Sequence, residues 1–469
     1  MKYKNLILTT LCMVLFNSNS YGANIVYPKS DNVVINANTT FFIGSEDPQK
    51  TLKINSENVE IHPSGGFYHV VNLVEGENQF TIDNGVEVKV YTIIKPSKKI
   101  TPEFFKIMFA GPIMYTVSTD GAPLRSTPFD GGINRLQHLE KGIPLKIIGE
   151  YGNFFKVQLA RDDYAWIGKN FVQINKSYDY SPAKMTNYTL VENEQKRTYT
   201  IKLDKKVPYI LSEITGLVPD DDDGNYTEKN NTLNLVIYNV DGFAENKFEL
   251  NIKPTGRMIG YKSYYNQNNE LVIEIRNFPK IDSKNPLKGI SITLDPGHGG
   301  DEYGAIGCLG DKEKDINLAI SLKLKDYLQK SGANVFMVRE DDRYVDLYDR
   351  VKFSQAHSTD IFISIHNNAL PDDLAALRSS GSSIFYFYPQ SQELATKLLM
   401  AITKDLPMDD DRVRQASFAV VRNTESQSVL VEFGYLINPV DNALLITSDF
   451  QDMAAQSILH GLENYLNDK

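Results

Sequence analysis

The chain has 469 residues, 42% of them hydrophobic and 23% charged, with a formal charge of -10. That length exceeds what one hydrophobic core supports, so two to four domains are expected. The composition is globular, and the acidity argues against nucleic acid as a partner.

In chain order, Lys2 and Lys4 precede an apolar stretch from Leu6 to Phe16, and small and polar residues then lead to Ser20, Tyr21 and Gly22. This is the order of a secretory signal peptide, residues 1–23, with cleavage after Gly22 or Ala23. The apolar part is too short to span a bilayer and no longer one follows, so no transmembrane anchor is expected. Leu11 stands where a lipoprotein signal places a small residue before Cys12. Without the leader, Cys308 is the one cysteine left, and no internal disulfide can form.

Residues 24–96 read as short alternating segments such as "LKINSENVEIH" and "NQFTID" separated by turns, the pattern of a small β-sandwich. The stretch "INSENVEIHPSGGFYHVVNLVEGENQFTI" resembles the immunoglobulin-like modules of bacterial wall enzymes. Lysine, serine and proline in "KPSKKITPEF" mark a linker over 97–111. Residues 112–178, with "LRSTP", "GIPLKIIGEYGNFFKVQL" and "YAWIGKNFV", resemble a bacterial SH3-type barrel, a family that holds lytic enzymes to peptidoglycan. Trp166, the chain's one tryptophan, is expected to fill the barrel core. Residues 183–283 are β-rich again, as a further wall-binding module or a spacer. The acidic runs "PDDDDGN" and "MDDDR" read as solvated loops. The first loosely echoes a calcium loop, but proline holds the first ligand position and no glutamate closes it.

From 288 to 469 the pattern changes. Apolar runs "ISITLD", "NVFMVRE" and "DIFISIH" alternate with helical stretches, among them "KDINLAISLKLKDYLQKSGA", where Ile320, Leu324, Tyr327 and Leu328 share a face and Gly332 caps the end. The alternation predicts an open α/β, mostly parallel sheet with helices on both faces. Ligands in such sheets bind beyond the carboxyl ends of the strands. His298 follows "SITLD" on a glycine-rich turn, His366 ends "DIFISIH", Glu432 ends "SVLVE", and Glu313 lies just before the first helix. Two imidazoles and two carboxylates thus reach one rim. Such a set suits a catalytic zinc, which takes three nitrogen or oxygen ligands and keeps one position for water; the remaining carboxylate can move the proton.

The segments "LDPGHGGDEYGAIGCLGDKEKD", "VREDDRYVDLYDRVKFSQAHSTDIFISIHNNA" and "SVLVEFGYLINP" resemble, in order and spacing, the zinc-dependent N-acetylmuramoyl-L-alanine amidases over about residues 290–468. The resemblance implies cleavage of the amide between N-acetylmuramic acid and the L-alanine of the stem peptide in peptidoglycan. It implies His298, Glu313 and His366 as zinc ligands and Glu432 as the catalytic carboxylate. Some relatives carry a plug helix after "SIHNNA"; here only "LPDDLAALRSSG" separates Ala369 from Ser382, so no activator is expected. Glu313 has a second reading as an acidic group favoured at a helix N-terminus, and Glu432 as a salt-bridged strand end. Asp295 and Asn367 can orient the imidazoles or make local turn bonds. Arg350 pins its helix, and Cys308 is a small apolar filler rather than a ligand.

Two other functions compete. One is a catalytically silent wall-binding scaffold, which the intact ligand set disfavours. The other is a zinc carboxypeptidase acting within the stem, whose first ligands are a close His-x-x-Glu, whereas fourteen residues separate His298 from Glu313. The place of action is exported: periplasmic or wall-associated, according to the host.

Overall fold

Strands Leu52–Ile54 and Gly76–Asp83 alternate buried and exposed side chains, as period-two segments with one wet face do. They belong to a five-stranded sheet that faces a three-stranded one across a core of Phe42, Ile54, Phe67, Phe80 and Ile93. The computed structural model describes residues 22–97, 106–175, 180–214, 217–219, 226–228, 232–253, 256–373 and 379–467. The expected leader up to residue 21 and most of "PDDDDGN" lie outside the described residues. Ala23, assigned to the leader by sequence, is buried in the core of this first module. Strand Thr39–Ser45 is buried on both faces: Phe42 enters the sandwich core, while Phe41 and Ile43 pack with Tyr68 against Tyr435, Ile437 and Cys308 of the C-terminal domain.

The second module is a seven-stranded sheet. Its strand Ile107–Val117 begins inside the linker expected over 97–111, because residues 107 onward pair with Pro144–Tyr151 and Val172–Ile174. A register shift opposite Ile147 and Gly149 takes up the Gly111-Pro112 break that reads as linker. Trp166 is half-buried and not in the core: Ala165 and Ile167 take the inward positions, leaving Trp166 beside Arg125 and Lys156 on the other face. The third β-rich region shares one continuous core with the second, Leu124 and Ile167 packing in the same cluster as Leu211, Ile237 and Ile273.

The C-terminal domain holds the strands β1 (Ser291–Pro296), β2 (Asn334–Met337), β3 (Ile361–Asn368), β4 (Ser382–Tyr386), β5 (Asp410–Gln415) and β6 (Gln427–Tyr435). Their order is β2-β1-β3-β6-β4-β5, parallel except where β4 meets β6. The sheet is therefore mixed. β5 covers most of "MDDDR", which forms an edge strand rather than a loop; the Asp411 carboxylate accepts from the Tyr435 hydroxyl at 2.7 Å. Helices α1 (Glu313–Lys330), α3 (Gln392–Asp405) and α5 (Ser448–Asn467) cover one face, on Ile361, Ile363, Ile365, Val429 and Val431. The alternate residues Phe362 and Leu430 face the other side, where Val351 of α2 (Leu347–Ala356) packs. The helices are thus divided unequally between the faces. No helix among the described residues is long and apolar enough to cross a membrane.

Candidate metal centre

Each of the four residues singled out by sequence is delivered to the rim by a different local device. After β1 the chain turns through Gly297 and His298, and His298 holds φ of +60°, the left-handed region. Gly297 is obligatory by contact: a Cβ there would lie 2.2 Å from Cε1 of His366. Buried guanidiniums hold this turn. Arg339 donates to the carbonyls of Pro296 (3.0 Å) and Gly297 (2.8 Å), and Arg350 to that of His298 (3.0 Å).

His366 lies two residues before the end of β3, in register beside Glu432, which lies inside β6 three residues before its end rather than at a strand terminus. Glu313 is the first residue of α1, not a loop residue before it. Its carboxylate lies between the two imidazoles: Oε2 is 3.1 Å from Nε2 of His298, and Oε1 is 2.9 Å from Nδ1 of His366. Three backbone or amide donors complete its surroundings, from Ala305 N–H (2.8 Å), Asn367 N–H (3.1 Å) and Asn317 Nδ2 (3.2 Å). Burial opposes a charge on Glu313, but the hydrogen bonds with His298 and His366 outweigh it and hold the carboxyl well below its usual range. Burial likewise opposes protonation of His298, yet Glu313 and, more weakly, Glu302 at 3.4 Å raise its pKa.

Glu432 has no such donors. Its Oε2 is buried without a hydrogen-bond partner, and burial, then the charge of Glu313, lift its carboxyl well above the usual range. The rim therefore places a carboxylate held charged close to one that favours its proton. Among the described residues, His298, Glu313 and His366 form a group whose donor atoms all lie within 4.8 Å of one another, close enough to share one cation. Two imidazole nitrogens and a carboxylate oxygen are the donor set zinc accepts with a position left open.

The residues expected to orient the imidazoles act elsewhere. Asp295 is fully buried and touches neither ring; it accepts from Arg350 (2.7 Å) and Ser364 (2.8 Å), so it fixes the guanidinium that holds the His298 carbonyl. Arg350 thus pins the ligand turn as well as its own helix. Asn367 serves Glu313 through its N–H, and its side chain donates to Asn317 Oδ1 at 2.8 Å. Asn317 and Arg339 were not singled out by sequence; the four-residue spacing from Glu313 to Asn317 on one helix face is the signal that could have found the first. Cys308 is buried against Gly66 of the first module, with Asn442 Oδ1 at 3.1 Å from its sulfur, and burial pushes its thiol up to about 12. It lies outside the donor group. His357 caps α2 and His460 pairs with Asp405, both away from the rim. The segment 374–378, part of the short connection after His366, lies outside the described residues.

Comparison with known proteins agrees in family. A family model described as N-acetylmuramoyl-L-alanine amidase matches residues 292–464. A probable cell wall amidase, LytH of Staphylococcus epidermidis, is 38% identical over 188 residues, 39% of this chain and 61% of that relative. YqiI of Bacillus subtilis, itself uncharacterized, is 33% identical over 191 residues, 40% of this chain and 90% of that protein. Among solved structures, the amidase AmiC2 of Nostoc punctiforme matches at 30% identity with a TM-score of 0.37, over 39% of this chain and 99% of that one. The chain spans 61% of the length of the curated relative first named.

Proposed function

Because the chain belongs to the N-acetylmuramoyl-L-alanine amidase family, we propose that it hydrolyses peptidoglycan at the amide between N-acetylmuramic acid and L-alanine of the stem peptide. The observation that carries this reading is the carboxylate of Glu313 held between His298 and His366, with Glu432 in register beside His366. The residues fit a zinc ion: the donor chemistry is right, and the two glycines at the rim, Gly297 and Gly304, leave space that a Cβ would take from His366, Glu313 and His298. His298, Glu313 and His366 would hold the ion, which when bound supplies Lewis acidity to acidify water and polarise the scissile carbonyl.

The chain's own groups do the rest. Arg350 and Arg339 keep the His298 turn in place while charge builds at the site. Asn317 and the Asn367 N–H keep Glu313 aimed. Glu432, in register beside His366, takes the proton from attacking water and delivers it to the departing alanine nitrogen. The β-rich modules, read as immunoglobulin-like and SH3-like, would hold the polymer near this rim. Action would lie outside the cytoplasm, at the wall, and without an activator.

Purified sacculi incubated with the full chain should release intact stem peptides beginning with L-alanine, identified by mass spectrometry, and a chelator should stop the release. Glu432→Ala should keep its metal and lose turnover by about a thousandfold. Fragments cut within the stem, or release that survives metal removal, contradict the assignment.

A further inference from the structure

Between the first module and the C-terminal domain lies a cavity of about 280 Å³. One wall comes from Val26, Tyr27, Lys29, Phe41 and Ile43 of the sandwich; the other comes from loops 304–306 and 369–372 and from Ile437. Those loops are the ones that reach the metal centre. A Cβ on Gly304 would lie 2.3 Å from Glu313 Oε2 and 2.6 Å from His298 Cδ2, and the Ala305 N–H donates to Glu313. Residues 369–372 follow His366 by three residues.

The docking of the two domains is specific. The Asp372 carboxylate accepts from the Tyr27 hydroxyl (3.1 and 3.0 Å) and from Thr40 Oγ1 (2.6 Å), and Asp373 Oδ1 accepts from the N–H groups of Asn38 (2.5 Å) and Thr39 (3.1 Å). Beneath these bonds Phe41, Ile43 and Tyr68 pack on Tyr435 and Ile437. The sandwich is therefore a built wall of the cleft.

Resting on the amidase reading above, we propose that this cavity receives the stem peptide of the substrate and that the N-terminal module sets which stems are accepted. The lining is aliphatic and aromatic. Its one carboxylate, Asp372, is already engaged by two hydroxyls, which leaves little to bind the hydroxyls of a sugar ring. Lys29 is its one cation, exposed and, among the described residues, without an ion pair. Small apolar side chains with a peptide carboxylate match such a surface, and the volume is near the low end of ligand pockets, about 300–1,000 Å³. The site also touches the reacting end: the same loop wall backs the metal ligands on one side and the cavity on the other.

The test compares soluble N-acetylmuramoyl substrates carrying one, three or five stem residues, using the full chain and its variants Lys29→Glu, Lys29→Arg and Val26→Trp. Lys29→Glu should raise KM for the long stems about two- to fivefold, as the loss of an exposed ion pair does, with kcat within about twofold. Lys29→Arg should restore the wild-type value, and Val26→Trp, which fills the cavity, should raise the long-stem KM about tenfold or more while barely affecting the one-residue substrate. Lys29 is exposed, so its variants keep the test decisive should Val26→Trp fail to fold. An unaltered long-stem KM in Lys29→Glu, or equal effects on the shortest and longest stems, overturns the cavity assignment while leaving the amidase reading standing. A wild-type chain that cleaves none of the substrates overturns that reading, and the cavity's role with it.

Discussion

At the scale of single residues, the candidate metal centre depends as much on absent side chains as on present ones. Gly297 lies against His366 so closely that a methyl group would fall 2.2 Å from its ring. Gly297→Ala should therefore displace the imidazole or the turn and weaken metal binding about ten- to a hundredfold with every ligand intact, the range seen when groups supporting a ligand are lost. Competition with a chelating dye measures this, and unchanged affinity contradicts the contact. The four rim residues were legible in the sequence because each lies at or near the end of an element whose pattern is local. Asn317 and Arg339 were not, because their partners lie across the fold: Arg339 meets carbonyls 43 and 42 positions away. Asp295 was read in the right place with the wrong neighbour for the same reason. Its buried charge is matched by Arg350, 55 positions on.

At the scale of elements, strand and helix patterns were read best where the pattern is unbroken, as in the continuous apolar run of β3 and the helical spacing of α1. Ile107–Val117 was missed because Gly111 and Pro112 interrupt its period, and the partner strands that tolerate the break lie far along the chain. Strand Tyr209–Glu213 carries a group whose behaviour no sequence pattern shows. Glu213 accepts from the Gln390 N–H at 2.6 Å across the junction with the C-terminal domain, and burial, only partly offset by that bond and by Tyr261, pushes its carboxyl up to about 7. An acid with a raised folded-state pKa binds more protons folded than unfolded. The penalty is absent below the unfolded value of 4.5, grows as pH rises, and is complete above about 7. Glu213→Gln should accordingly stabilise the protein above pH 7, by a few kcal/mol at most at about 1.4 kcal/mol per pKa unit, and have little effect near pH 4. Denaturant midpoints across that range test the sign; a gain confined to acid pH contradicts it.

At the scale of the whole molecule, the modules read from sequence as separate units are joined by buried and part-buried contacts. Arg276, at the end of the third β-rich region, donates to the carbonyls of Thr359 (2.7 Å), Glu425 (2.9 Å) and Ser358 (2.9 Å) and pairs with Asp360, which itself accepts from the N–H of Ser291 at the start of β1. The Tyr261 N–H meets the Thr424 carbonyl at 2.7 Å, and Gln427 donates to the carbonyls of Met258 and Ile259. Arg276→Ala should leave three carbonyls without this donor and Asp360 with only the Ser291 N–H, costing about 1–3 kcal/mol for a part-buried charged network. Calorimetry should then resolve separate melting of the β-rich part and the C-terminal domain where the parent protein shows them coupled; a single unshifted transition contradicts this. The turn bearing His298 is finished in a similar spirit, by guanidiniums gripping carbonyls and by Asp295 gripping one guanidinium. A socket completed by the polypeptide itself does not wait for its occupant. If the proposed ion binds there, its scarcity would idle such a molecule without denaturing it, and resupply would restart it with no second round of folding.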